Sequence, residues 1–360
     1  MAEPAGERFV SSTPRSESPD NSFEVLVSQS VGTEPLGSLA DLLPVLARDL
    51  ADIDWRLQRI LGARYATLTE AASYACSTGG KRVRPLLIAA YFRALGASSV
   101  EKIHALAGAF QLIHTASLVH DDVIDHAEAR RGRPSMPRAY GLPLAIVTGD
   151  YLFVRAFELA AEYPPSIILR CGEACADLVE GEVIQEEGRF DLSTGKDHYF
   201  RVVERKTGAI VAAGLASATE IAGADPEVVE AAATYGRSVG IAFQIRDDLL
   251  DIFGDPDLMG KPLYSDFREG NPTLPSLETY ARLDGRRQTE FERLFQLRRK
   301  HARHLLRLHE LAEEAGAEAI VAEQARWWAD KAVRSLSVLP PGPYRTLLER
   351  LARGQAERRY

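Results

Sequence analysis

Cysteine is scarce, with Cys76, Cys171 and Cys175 the only three in 360 residues. An odd number with no C-x-x-C pair supports neither a disulfide framework nor a zinc site, and a reducing cytoplasm is the compartment expected from that usage. Alternating strand-like runs are hard to find, which argues against a sheet protein. No apolar run reaches the ~18 residues that span a bilayer. The first residues also lack the basic-then-apolar pattern of a secretory leader, so the expectation is a protein neither secreted nor integral to a membrane. A basic excess is missing as well: 43 Lys and Arg stand against 51 Asp and Glu, a formal charge of -8. Nothing global draws the chain to nucleic acid or to an anionic lipid surface, so any anion must be held by a local basic cluster.

What the sequence does hold is apolar residues at helical spacing. Residues 1–36 are rich in Ser, Pro, Glu and Gly and are expected to be a disordered tail. From there Leu39, Leu42, Leu43, Val45, Leu46 and Leu50 form one stripe, and the pattern returns through nearly every later segment. Gly/Pro breaks, such as Gly79-Gly80, Pro164-Pro165, Gly223 to Pro226 and Gly270 to Pro275, separate about ten or more helices. With no shift in composition after the tail, residues 37–360 read as one all-α domain. Arg286 to His309, with Arg298, Arg299, Lys300, Arg303 and Arg307, reads as a single charged helix with a solvated face.

One stretch concentrates the chemistry. LVHDDVIDHAEARRGRPS, Leu118 to Ser135, places Asp121, Asp122 and Asp125 just ahead of Arg130, Arg131 and Arg133. Asp121 and Asp125 share a face at the end of a helix expected from about Val100, where three carboxylates oppose the macrodipole. Alone, such a cluster is a solvated helix end as readily as a site. It recurs, however: FQIRDDLLD sets Asp247, Asp248 and Asp251 at the same spacing. Hard divalent cations take carboxylate oxygens and complete their shell with water and phosphate oxygens, while guanidinium forks match phosphate. Acid would hold metal and base would hold diphosphate. A second basic cluster, GGKRVRP, puts Lys81, Arg82 and Arg84 at a helix start, where an anion would offset their mismatch with the dipole. His114 lies seven residues before Asp121 and roughly on its face.

GGKRVRP, IHTASLVHDDVID with RRGRPS, GDYLF, GE followed by Gln185, KTG at Lys206, FQIRDDLLD, Gly260-Lys261 and EGNPTLP occur in that order. In this the sequence resembles the trans-isoprenyl diphosphate synthase (polyprenyl synthetase) family over almost everything from about residue 38 to 359. The resemblance implies an all-α bundle around a deep central cavity, usually a homodimer. It implies a Mg²⁺-dependent condensation of isopentenyl diphosphate with an allylic diphosphate, using about three Mg²⁺ ions. Carried over by position, Asp121, Asp122, Asp125, Asp247, Asp248 and Asp251 would hold metal. Lys81, Arg84, His114 and Arg131 would bind isopentenyl diphosphate, and Arg130, Lys206, Thr207, Gln244 and Lys261 the allylic diphosphate. Asp121, Asp125, Asp247 and Lys206 form the expected catalytic set, and product release suggests a peripheral membrane contact.

The sequence departs from the family pattern at Gln111, Arg246, Tyr264 and Phe267, where Glu, an apolar residue, Gly and Leu are common. Arg246 is expected either to pair with the second aspartate set or to point outward to a partner subunit. Small residues at Ala116 and Ser117, with Ile113 and Phe110 further up the same helix, suggest a long pocket. Phe110 lies ~16 Å from Asp121 at 1.5 Å per residue, which favours hexaprenyl to nonaprenyl products over farnesyl or geranylgeranyl. Three alternatives stay open: a non-catalytic subunit of a heteromeric synthase, a geranylgeranyl synthase, and a terpene cyclase of related fold, against which Lys81 to Arg84 and Arg130-Arg131 argue.

Overall fold

Proline marks where many of the helices begin, because its missing N–H costs nothing in the first turn. The computed structural model describes residues 37–77, 82–97, 99–255 and 263–358. The expected tail, Lys81 and Lys261 lie outside the described residues. After a 3-10 turn at Gly37–Leu42 come α1 (Leu43–Ile60), α2 (Ala66–Ser77), α3 (Val83–Ala94) and α4 (Glu101–Ile124). Then follow α5 (Met136–Tyr140), α6 (Leu142–Ala160), α7 (Pro165–Glu187), α8 (Gly195–Val203), α9 (Ala209–Ile221) and α10 (Pro226–Phe253). The rest is α11 (Ser265–Glu269), α12 (Leu274–Arg282), α13 (Gly285–Phe295), α14 (Ala302–Glu314), α15 (Ala317–Ser335) and α16 (Pro343–Glu357). The architecture is all-α, and no helix among the described residues is long and apolar enough to cross a membrane.

The two aspartate-bearing helices are the spine. Both are apolar on most sides, as helices surrounded by protein must be. α4 buries Ile103 through Ile113 continuously and packs on α1, α3, α6 and α9, while α10 packs along α9, α15 and α16. α9, buried from Ile210 to Thr219, lies against both. One core gathers around α4 and α6, and a second gathers Ile245, Leu249, Phe267, Phe291 and Phe295 around the later part of α10.

One element was not anticipated and one expectation needs correction. The basic block after the first aspartates is a β-hairpin, in which β1 (Ala129–Arg130) pairs antiparallel with β2 (Arg133–Pro134). Arg131 at φ 51° and Gly132 at φ 74° form its two-residue turn, which requires positive φ at both positions. The charged run Arg286–His309 is two helices, since α13 ends at Phe295 and α14 begins at Ala302. Between them the chain lays Arg298 and Lys300 over the Phe190 ring, at 4.1 and 4.9 Å from its centroid.

Candidate active site

The last turns of α4 and α10 open on one cavity of about 510 Å³. Its wall takes Asp121 from α4 and Asp125 from the cap that ends it, Asp247 and Asp248 from α10, and Asp266 and Glu269 from α11. Arg84, Arg130, Arg131 and Lys206, with His114, Thr207 and Gln244, line the same space. Asp122 and Asp251 do not line it. Both are 3% exposed and bonded elsewhere. Asp122 Oδ1 accepts from Arg130 Nε and Nη2 at 2.8 and 2.6 Å, and Asp251 accepts from the Ser265 hydroxyl and from the Asp266 N–H at 3.0 Å.

At the basic end, Arg82 adopts a left-handed φ of 44° before α3, and Arg84 in the first turn reaches the cavity. Burial, then the neighbouring Arg131, lowers the Arg84 pKa to about 10, and its Nε is buried with no hydrogen-bond partner among the described residues. Burial holds the His114 pKa well below its ordinary value, and Arg84, Arg131 and Arg130 add to this. The imidazole is therefore neutral at pH 7. Cations crowded around an unpartnered donor are a place for an anion.

At the acidic end the carboxylates carry opposite strain. Burial raises the Asp121 pKa to about 6, and no hydrogen bond to that carboxylate exists among the described residues. Asp248, 5% exposed, rises to about 7 through burial, although Tyr199 Oη donates to it at 2.6 Å and Gln244 Nε2 at 2.8 Å. Burial pulls the Lys206 pKa down, but Asp121 and Glu182 outweigh it and the net shift is upward. Lys206 Nζ contacts Glu182 and donates to Gln185 Oε1 at 3.1 Å.

Lys206 and Thr207 are placed by a π-helical turn, Glu204–Gly208, between α8 and α9. Glycines let two helices press on that turn. A Cβ on Gly181 of α7 would lie 2.9 Å from Lys206 Cγ, and one on Gly240 of α10 would lie 3.0 Å from Gly208 Cα. A side chain at either position would push the turn off the cavity.

The sequence model described as Polyprenyl synthetase matches residues 65–311. The chain belongs to that family and is a trans-prenyltransferase. It is 32% identical over 317 residues to the octaprenyl diphosphate synthase of Escherichia coli (strain K12), covering 88% of this chain and 97% of that one. It is 39% identical over 244 residues to heptaprenyl diphosphate synthase component 2 of Geobacillus stearothermophilus, covering 67% and 75%. A crystal structure of the polyprenyl synthase from Caulobacter crescentus CB15, complexed with calcium and isoprenyl diphosphate, superposes with TM-score 0.84. That protein is 34% identical, and the match covers 89% of this chain and 97% of that one.

Within this polyprenyl synthetase the four departures find physical settings. Tyr264 has φ 68°, a backbone that suits glycine. Its ring stacks on Phe267 at 6.4 Å and tilts against His309 at 5.5 Å, so the departures at 264 and 267 are one packed pair. Gln111 is buried and donates from Nε2 to Thr115 Oγ1 at 3.3 Å. Arg246 does not pair with the second aspartate set: its Nε donates to the Arg358 carbonyl at 2.7 Å. Sequence reasoning missed Tyr199, Arg189, Asp266 and Glu269. Of these, only Glu269 lay in a quoted motif. Of the four residues expected along the pocket face of α4, Ser117 lines the cavity, whereas Ala116, Ile113 and Phe110 are packed in the core.

Proposed function

We propose that this chain condenses isopentenyl diphosphate with an allylic diphosphate in a Mg²⁺-dependent reaction and makes a product in the hexaprenyl to nonaprenyl range. The observation that carries it is the pairing in one cavity of a half-buried carboxylate without a donor, Asp121, and a buried guanidinium Nε without an acceptor, Arg84. A bridged cation and diphosphate would satisfy both. Asp121, Asp125, Asp247 and Asp248 are the oxygens that could hold Mg²⁺, which when bound supplies Lewis-acid charge to the diphosphate leaving group. No three acidic, His or Cys side chains converge on one ion among the described residues. That fits Mg²⁺, which keeps waters and takes substrate oxygens for the rest of its shell.

The protein's own groups divide the remaining work. Arg84, Arg131 and neutral His114 orient one diphosphate. Arg130, Lys206, Thr207 and Gln244 orient the other, with Lys206 kept cationic by Asp121. Ser117, Leu118, Leu178, Val202, Val203 and Phe243 line the same cavity and provide the dry wall that a carbocation requires. The names of the relatives and the small side chain of Ser117 support the longer products. An exposed apolar set, Leu142, Ile146, Val147 and Val154 on α6 with Val179 and Val183 on α7, supports pairing with a second copy.

Purified protein with Mg²⁺, labelled isopentenyl diphosphate and, separately, geranyl, farnesyl and geranylgeranyl diphosphates tests the reading, with product lengths separated afterwards. Condensation to long products is expected from the chain alone. No condensation with any primer would sink it and favour a subunit role like that in the name of the Geobacillus relative. Ser117→Phe should shorten the product while condensation continues.

A further inference from the structure

One carboxylate of each aspartate set is held by an arginine from outside the motifs. Arg189 Nη2 donates to Asp125 Oδ1 at 2.8 Å, and Arg358 Nη2 donates to Asp247 Oδ1 at 2.5 Å. Arg189 lies in the turn after α7, and Arg358 directly follows α16.

Both arginines are fixed from behind. Arg189 Nε also faces Glu186 at 2.8 Å. Its neighbour Phe190 donates its N–H to the Gly270 carbonyl at 2.7 Å, and the ring lies so close that a Cβ on Gly270 would meet it at 2.3 Å. The Arg358 guanidinium lies over the Phe243 ring, 4.0 Å from its centroid, and donates to the Phe243 carbonyl at 3.2 Å. Its backbone is pinned by Arg246, the residue that departs from the family pattern. Arg130 differs from these two, because its carboxylate partner Asp122 stands behind the cavity.

A guanidinium and a divalent cation cannot contact the same carboxylate oxygen without strong mutual repulsion. We propose that Arg189 and Arg358 are counter-ions that compete with a divalent cation for Asp125 and Asp247. They thereby set the cation concentration at which the site loads, and Arg246 is a positioning residue acting through Arg358. The inference rests on the metal role of the aspartates given under the proposed function. It makes loading a competition with an arginine at each aspartate set, and cation affinity is weaker than the number of carboxylates alone would give.

The test is Mn²⁺ binding, read as loss of the free-ion EPR signal in 0.15 M salt with no substrate. Arg189→Gln and Arg358→Gln should each bind Mn²⁺ about fivefold more tightly, the scale of a partly exposed ion pair. Arg246→Gln should shift affinity the same way by less. Arg307→Gln removes an equal charge from the Glu290, Glu310 and Glu314 cluster on α13 and α14, and is expected to change nothing. Unchanged or weaker binding in both cavity variants overturns the proposal, and since they sit on separate elements, misfolding of one leaves the other decisive. Failure of the underlying metal role looks different: wild type would bind no Mn²⁺ that Asp121→Asn weakens.

Discussion

The two aspartate sets share one spacing and one outside arginine each, and differ in how their buried members are held. In the first, an arginine from the adjoining hairpin neutralises Asp122 behind the cavity, and Asp121 faces the cavity without a donor. In the second, neutral donors compensate: Tyr199 and Gln244 on Asp248, and Ser265 with a backbone N–H on Asp251. The buried member also differs, being the second of the first set but both the second and the third of the other. Equal spacing fixes which carboxylates share a helix face, while the elements packed on that face decide which of them stay available.

The comparison breaks first at turnover. Asp121→Asn and Asp247→Asn should each lower the condensation rate by roughly three orders of magnitude, the several kcal/mol a catalytic cation supplies. A variant retaining near-normal rate removes its residue from the metal shell. Next comes stability. Asp122→Ala strands a half-buried guanidinium and should cost about 2 kcal/mol, while Asp251→Ala leaves a hydroxyl and an N–H unpaired and should cost about 1 kcal/mol. Urea denaturation measures both. If either variant instead keeps its stability and loses turnover, that aspartate is a metal ligand, as the family resemblance implies.

Tyr199→Phe sharpens the contrast at the level of protonation. The phenol stabilises the Asp248 carboxylate, so its loss should raise a pKa that already stands at about 7. The acid limb of the rate profile should then move to higher pH, whereas the corresponding limb in Asp122→Asn should not move upward. A further effect is a slope. Asp121 at about 6 and Asp248 at about 7 bind protons in the folded chain that an unfolded carboxyl, near ~4, has released. Between those values the folded state holds more protons, so stability in EDTA should fall as pH rises from ~4 to ~7. Added Mg²⁺ should flatten the fall, and a melting temperature that rises with pH in EDTA would contradict the burial of these two groups.

Much of this was legible because chemistry is dense where the sequence is dense. The carboxylate sets, Arg84, His114 and the paired arginines are local patterns, and prolines announce helix starts such as Pro165, Pro226 and Pro275. The hairpin escaped notice because two-residue strands have no period to detect. The break at 296–301 carries neither Gly nor Pro. Ala116 and Ser117 are adjacent small residues, yet neighbours on a helix point about 100° apart, and of the two only Ser117 reaches the cavity. Arg189 and Arg358 reach their partners across 64 and 111 residues of chain, a distance over which only the fold brings charges together.

The π-turn at Glu204–Gly208 has a consequence for how such a chain can drift. It is a local excess of backbone, and deleting one residue to restore regular helix would rotate everything on one side by about 100° relative to the other. Lys206 and Thr207 would then leave the cavity though neither had been replaced. Point changes on the exposed side of α8 can accumulate singly, but a change of length between Val203 and Ala209 cannot be absorbed, because Gly181 and Gly240 clasp the turn from two other helices. For this segment, the count of residues matters as much as their identity.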